Sequence, residues 1–190
     1  MAMSETNVKK DLCILLEGAA AGERLSREEG LRLICEADLL DLGRAADARR
    51  RQLHPEGRVT LILDRNINYT NVCNVYCKFC AFYRRPGHAD AYVLSREELG
   101  EKIRETLAVG GSQILMQGGV HPDLKIDWYE EMLGWIKSNF DIHVHAFSPV
   151  EIRRLAELND LTVRETLLRL RAAGLDSVPG GGAEILSDPV

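Results

Sequence analysis

Segments with a strand pattern alternate with segments with a helix pattern along most of this 190-residue chain, and this alternation constrains the fold more than any other feature. We predict strands over 59–64, 112–117, 141–147 and 175–178, with helices over 95–109, 127–139, 150–158 and 162–173. Parallel strands need crossover connections of this length. The order therefore predicts an α/β fold with a parallel sheet.

A polar face repeats on successive strands. Its positions are Asp64, Asn66 and Asn68 near the first strand, Gln113 and Gln117 in the second, and His143 and His145 in the third, with Phe147 on the same side. An open sheet covered by helices on both faces would carry nearly continuous apolar strands. A polar face suits a lumen that holds a polar ligand, so a partial (β/α) barrel of the TIM type is favoured over an open doubly wound sheet.

The N-terminal part of the chain and the remainder predict different kinds of structure. Residues 1–58 show no strand pattern and predict a helical N-terminal extension of two helices, in which Cys13 and Cys35 occupy apolar core positions. Residues 59–190 would form the barrel domain. About four strands cannot close a barrel, and bare strand edges are rarely tolerated. Either the barrel is truncated at the C-terminus or its missing strands come from elsewhere, and we favour truncation.

The charge balance excludes some classes of function. The 24 basic and 29 acidic side chains give a net charge of −5, which argues against a nucleic-acid partner or an electrostatic membrane binder. The sequence has no apolar run of membrane-spanning length, and residues 1–12 lack the apolar core of a signal peptide. We expect a cytoplasmic protein with reduced thiols. The sequence does not indicate an oligomeric state.

Three of the five cysteines crowd into eight residues, Cys73 to Cys80, with Cys77 between them. They follow the first predicted strand, at the barrel mouth where active sites gather. A zinc ion would need a fourth ligand such as His54 or His88. An iron–sulfur cube normally takes four cysteines, so three would leave one iron open. The polar loop argues against simple core packing, and cluster binding is favoured over zinc.

The spacing C-x₃-C-x₂-C, with Phe79 before the last cysteine, resembles the radical S-adenosylmethionine superfamily. The resemblance implies a 4Fe–4S cluster held by Cys73, Cys77 and Cys80, with S-adenosylmethionine chelated at the fourth iron and Phe79 near this cofactor. One electron from the cluster would cleave the sulfonium to a 5′-deoxyadenosyl radical, which abstracts a hydrogen atom. A low-potential electron donor is therefore implied as a partner.

Five longer stretches resemble the cyclic dehypoxanthine futalosine synthase family of menaquinone biosynthesis; they are 64–73, 77–83, 116–123, 143–151 and 180–186. The family has a six-strand partial barrel. The implied reaction is the cyclisation of dehypoxanthine futalosine after abstraction of its ribose C4′ hydrogen, with loss of one electron and one proton. Aminofutalosine synthase and the synthase of the deazaflavin F420 precursor are the alternatives within the superfamily. A zinc-stabilised binding module or an inactive fragment are the alternatives outside it.

The resemblance marks two groups of cofactor-binding residues after the second and third strands. Gln117, Gly118 and Gly119 would lie against the methionine amino group, although an ordinary strand-to-helix turn also explains two glycines. Ser148 and Glu151 would contact the ribose hydroxyls, although Ser148 equally suits a helix cap.

The remaining candidates are weaker. His145 faces the predicted lumen and is assigned to substrate contact or proton transfer, with a core histidine as the alternative. Asn68 and Tyr69 are assigned to substrate binding, although Tyr69 also suits packing. Glu184 lies in a glycine-rich turn and is assigned to the cofactor's hydroxyls or ammonium group.

Overall fold

The computed structural model describes residues 5–180, with side chains from residue 11 onward. The chain divides into two compact units, Met1–Thr60 and Leu61–Val190. Among the helices in the described range, none combines the length and apolar character that crossing a bilayer requires.

The first unit contains three helices rather than the predicted two: α1 (Glu5–Ala21), α2 (Arg27–Glu36) and α3 (Leu39–Leu53). A capping box begins α2, because the Ser26 hydroxyl accepts from the backbone N–H of Glu29 and the Glu29 carboxylate accepts from the N–H of Ser26. The extra helix starts at Asp38, whose Oδ1 accepts from the N–H of Leu40 at 2.8 Å.

The two isolated cysteines are not core residues, so that prediction is wrong. Cys13 and Cys35 are both exposed. Leu31 and Ile34, which share the apolar pattern of α2, are also exposed, whereas Leu33 is buried. The helical periodicity identifies an apolar face, but within the described residues only part of that face is covered.

The second unit is an α/β structure around a parallel sheet. Its elements are β1 (Asp64–Ile67), α4 (Arg96–Ala108), β2 (Gln113–Met116), α5 (Ile126–Asn139), β3 (His143–Ala146), α6 (Pro149–Leu158) and α7 (Val163–Ala173). The strand order is β1-β2-β3, and residues 64, 113 and 143 stand side by side in register. This three-strand parallel sheet with its crossover helices is a partial barrel. The alternation predicted the parallel sheet, and the polar face favoured the barrel.

One face of the sheet is the core, and the other carries polar side chains together with Leu115. Ile114, Met116, Val144 and Ala146 are completely buried, and they pack with the apolar faces of the surrounding helices. The alternate positions on β2 and β3, including the two histidines, stay partly exposed, as predicted. Phe147 is the exception, because its φ of +69° turns the ring into the core instead.

Two of the predicted strands differ in extent from what the structure shows. The run 59–63 is not a strand within the described structure, and Leu61 and Leu63 are exposed. The ladder with β2 begins at Asp64, opposite Gln113, and one position earlier the Leu63 carbonyl accepts from the N–H of Ser112 at 3.0 Å. The predicted fourth strand, 175–178, is reduced to a single parallel bridge between Ser177 and His145.

Candidate active site at the cysteine loop

The cysteine loop leaves β1 and has a fixed base. The N–H of Cys73 donates to the carbonyl of Arg84 at 3.0 Å, and the N–H of Arg84 donates to the carbonyl of Asn71 at 2.7 Å. The buried Asn71 amide binds two further backbone groups, the carbonyl of Asp90 and the N–H of Tyr92. The two ends of the loop are therefore joined by backbone and amide hydrogen bonds, while the cysteines lie between them.

All three sulfur-bearing side chains of the loop line one cleft of about 340 Å³. Cys73 is buried at its base, Cys80 is half-buried and Cys77 is exposed. The Sγ of Cys73 accepts an N–H hydrogen bond from Val75 at 3.4 Å. We call this cavity the cysteine cleft. Its volume lies in the range of small-molecule sites.

The donor set fits a 4Fe–4S cluster better than a single metal ion. None of the cysteines is in a disulfide. A tetrahedral structural zinc ion takes four protein ligands, whereas each thiolate of a cube binds a different iron. Three free thiols that line one cleft therefore suit a cluster that keeps one iron open.

A diglycine turn after β2 forms the opposite wall of the cleft. Gln117, Gly118 and Gly119 all line it. The N–H of Gly119 donates to the carbonyl of Thr70 at 2.8 Å, and the N–H of Asn74 donates to the carbonyl of Val120 at 3.1 Å. These two bonds join the turn directly to the start of the cysteine loop.

Both glycines are required by close packing. A Cβ on Gly118 would lie 2.5 Å from the ring of Tyr69. A Cβ on Gly119 would clash with the carbonyl oxygen of Val72 and would lie 3.0 Å from the Cβ of Cys73. The absence of side chains lets the turn lie against the loop backbone. The diglycine therefore sets the distance between the turn and the first cysteine.

A buried carboxylate connects three elements at the third wall. Glu151, at the start of α6, lines the cleft, and its Oε1 accepts from the Tyr69 hydroxyl at 2.6 Å and from the N–H of Gly118 at 3.0 Å. Burial raises the pKa of Glu151, and the hydrogen bonds from Tyr69, Gly118 and Ser148 oppose that effect. Tyr69, enclosed on all sides, has a pKa well above its ordinary value because of burial and the nearby carboxylate.

The structure brings most of the predicted site residues together. The cysteine cleft is lined by Cys73, Cys77, Cys80, Gln117, Gly118, Gly119, Ser148 and Glu151. Ser148 also caps α6, since its hydroxyl accepts from the N–H of Glu151 at 3.3 Å. Both interpretations of Ser148, cleft wall and helix cap, are thus compatible.

Five predicted residues lie elsewhere. Phe79 is fully exposed and does not line the cleft, and Tyr69 is buried in the core. The substrate contact of Tyr69 stays a prediction. Asn68 donates from Nδ2 to the carbonyl of Gln117 at 2.7 Å, beside the cleft rather than in it. His145 lies on the polar face of β3 against Ser177. Glu184 lies outside the described residues.

Aromatic and aliphatic side chains of the cleft were not singled out from the sequence. They are Val75, Phe82, Tyr83, Val120 and Val150. Phe82 and Tyr83 lie in the same stretch as the last two cysteines, and that proximity was the available signal. These side chains make the cleft partly apolar, which suits an adenosine-like ligand beside the polar turn.

A parallel-stranded partial barrel with three cysteines in the loop after β1 defines a class of enzyme. Residues 67–188 match the sequence model of the Radical SAM superfamily, and the chain belongs to that superfamily. Its members use a 4Fe–4S cluster and S-adenosylmethionine. The cofactors implied by the cysteine loop are thereby confirmed at the level of the superfamily.

Curated relatives point to a narrower group. The chain is 50% identical over 175 residues to cyclic dehypoxanthine futalosine synthase of Halalkalibacterium halodurans, covering 92% of the chain and 47% of the relative. It is 43% identical over 184 residues to the enzyme of that name from Streptomyces coelicolor, covering 95% and 46%. It is 44% identical over 146 residues to FO synthase of Mycobacterium leprae, covering 76% and 17%. The chain spans about half the length of the two futalosine relatives.

Solved structures agree on the fold. The FeFe-hydrogenase maturase from Carboxydothermus hydrogenoformans aligns with a TM-score of 0.61 and 21% identity, over 93% of this chain and 49% of that one. Methylornithine synthase aligns with a TM-score of 0.58 and 16% identity, over 88% and 58%. At these identities the alignments establish the partial barrel alone.

Proposed function

We propose that this chain carries the cluster-binding and S-adenosylmethionine-binding part of an enzyme that cyclises dehypoxanthine futalosine in menaquinone biosynthesis. The observation that carries the proposal is one cleft that combines three cysteines, a diglycine turn and a buried glutamate. Identities of 50% and 43% to enzymes named for that cyclisation support the choice of substrate.

Each wall of the cleft has a role in this proposal. Cys73, Cys77 and Cys80 would hold the cluster, which supplies the electron that converts S-adenosylmethionine to its 5′-deoxyadenosyl radical. The carbonyls of the diglycine turn would accept from the amino group of S-adenosylmethionine, because no side chain shields them. The cleft's apolar side chains would exclude water from the radical.

In this proposal the two carboxylate oxygens of Glu151 bind different groups. Oε1 already accepts from Tyr69 and Gly118 and so holds the turn in place. The carboxylate also lines the cleft, where Oε2 would accept from a ribose hydroxyl. Because Ser148 lies on the same wall, its hydroxyl would contact the same ribose.

The deazaflavin precursor synthase is the second candidate, because FO synthase of Mycobacterium leprae is 44% identical over 146 residues. The two differ in substrate, so a substrate panel separates them. Anaerobically reconstituted protein is given S-adenosylmethionine and a low-potential reductant. One mixture also contains dehypoxanthine futalosine, and the other contains tyrosine with 5-amino-6-(D-ribitylamino)uracil. We expect cyclic dehypoxanthine futalosine from the first mixture alone, and no product from Cys77→Ala.

The same experiment can refute the proposal. Consumption of tyrosine with no conversion of dehypoxanthine futalosine would assign the chain to the second candidate. Formation of 5′-deoxyadenosine with neither substrate converted would leave the superfamily chemistry in place and exclude both substrate assignments.

A further inference from the structure

A single serine hydroxyl lies between two histidine rings on the polar face of the sheet. The Oγ of Ser177 is 2.6 Å from Nδ1 of His145 and 2.7 Å from Nε2 of His143. Both distances are those of strong hydrogen bonds. None of the three side chains lines the cysteine cleft, so the site described above does not explain this arrangement.

The backbone holds the three side chains in place. His143 and His145 are two residues apart on β3, so both side chains point to the same face. The backbone of Ser177 forms a parallel bridge with β3. The Ser177 carbonyl accepts from the N–H of Ala146 at 2.9 Å, and the Ser177 N–H donates to the carbonyl of Val144. The hydroxyl is thus fixed opposite both imidazoles.

The number of protons sets the direction of these hydrogen bonds. A hydroxyl has one proton and donates it to one ring only, so the other ring must donate to the oxygen. The three groups therefore form a chain in which each member passes a proton onward. In the direction from His145 to His143, Nδ1–H of His145 donates to Ser177, and the Ser177 hydroxyl donates to Nε2 of His143.

A carboxylate stands at the far end of this chain. The Oδ2 of Asp176 is 4.0 Å from Nδ1 of His143. Asp176 itself is held by the Lys137 ammonium and by the N–H of Val144 at 2.7 Å. At the near end, His145 bonds to Ser177 through Nδ1, and Nε2 is the ring nitrogen that remains for the substrate proton.

We propose that Ser177 relays the proton released in the cyclisation from His145 to His143. This inference rests on the proposed function, which requires loss of one proton from the cyclised ring. The C–H bond breaks, its electron pair stays on the ring and makes it a radical anion, and the proton bonds to Nε2 of His145. The surplus electron would leave to a one-electron acceptor, the oxidised iron–sulfur cluster. His145 then gives its Nδ1 proton to Ser177, and Ser177 gives its own proton to Nε2 of His143. The relay moves protons alone and needs no oxidant.

The first test reads the tautomers directly. In ¹⁵N NMR spectra of histidine-labelled protein without cofactors, we expect both neutral rings to carry their proton on Nδ1, although free imidazole side chains favour Nε2–H. In Ser177→Ala, His145 should revert to the Nε2–H form, and Ser177→Thr should restore Nδ1–H. A parent protein with Nε2–H on His145 would overturn the proposal, because that nitrogen could not accept the substrate proton.

The second test separates the relay from the reaction it serves. The yield of cyclised product is measured per 5′-deoxyadenosine formed. Ser177→Ala should lower this ratio about 100-fold, the lower end of what a positioned general base contributes. Ser177→Thr should restore it, and the control Ser138→Ala, which removes an exposed hydroxyl on α5, should not change it.

The possible failures are distinguishable. An unchanged ratio in Ser177→Ala would refute the relay and leave the proposed function intact. A parent protein that forms 5′-deoxyadenosine but never the cyclised product would refute the proposed function, and the relay's chemical role with it.

Discussion

Replacing Gly119 with alanine would place a methyl group where the diglycine turn meets the cysteine loop. The new Cβ would lie well inside 3.0 Å of the Val72 carbonyl oxygen and 3.0 Å from the Cβ of Cys73. Because these neighbours belong to or adjoin the backbone, they cannot rotate away, and the turn must separate from the loop. That overpacking costs about 1–3 kcal/mol.

The separation also weakens the two backbone hydrogen bonds that join turn and loop, the one from Gly119 to Thr70 and the one from Asn74 to Val120. Each contributes about 0.5–1.5 kcal/mol. The free energy of unfolding should therefore fall by about 2–6 kcal/mol in total. Iron bound after anaerobic reconstitution should fall with it, because Cys73 lies at the joint.

Chemical denaturation followed by circular dichroism measures the effect, and Gly134→Ala is the matched control. A Cβ on Gly134, inside α5, would have its nearest neighbour at 4.0 Å. That variant should be about 0.5–1 kcal/mol more stable than the parent. If Gly119→Ala unfolds at the parent's denaturant concentration and binds the parent's amount of iron, the reasoning about close packing is wrong.

Three further changes test individual contacts by denaturation. Tyr69→Phe removes the hydroxyl that binds Glu151 and should cost about 1–3 kcal/mol; Tyr92→Phe, which loses only a 3.3 Å bond to a backbone carbonyl, should cost less. Thr162→Ala removes the α7 cap and should cost about 1 kcal/mol. Asp176→Asn should destabilise at neutral pH, with the deficit shrinking at acid pH. Burial is the largest single effect on the pKa of Asp176 and raises it. The hydrogen bonds from Lys137 and Val144 act in the opposite direction, and the resulting pKa is below the ordinary value of 3.8. The Asp176 contribution is therefore present above pH 3.8 and lost as the pH falls through the lower folded pKa. A loss of stability in Asp176→Asn that does not depend on pH would contradict the role given to the Asp176 carboxylate. Equal stability of Tyr69→Phe and Tyr92→Phe would contradict the prediction for Tyr69.

Local signals in the sequence predicted the helices of the second unit to within a residue at each end, but they predicted two helices where the first unit has three. The capping boxes that begin at Ser26, Ser95 and Thr162 are all present, because each depends on two residues three positions apart. The parallel sheet and its polar face also follow from short-range patterns. The same is true of the cysteine loop, whose three cysteines lie within eight residues.

These local signals do not predict contacts between residues that are far apart in the sequence. The hydrogen bond between Tyr69 and Glu151 spans 82 positions, and the bond between Gly118 and Glu151 spans 33. Nothing near Tyr69 in the sequence distinguishes a buried positioning role from substrate binding. The first strand was placed too early for a related reason, since its pairing depends on where β2 begins. Likewise, the pattern around Cys35 identifies an apolar face but not whether anything covers it.

The central claim is that three thiolates hold a cluster whose remaining iron binds S-adenosylmethionine. The most direct test is the electron paramagnetic resonance spectrum of the reconstituted, reduced protein, recorded before and after S-adenosylmethionine is added. We predict the signal of a reduced 4Fe–4S cluster that changes shape when S-adenosylmethionine binds, and no such signal in Cys77→Ala. A spectrum without a cluster signal, or one that S-adenosylmethionine leaves unaltered, would contradict the claim.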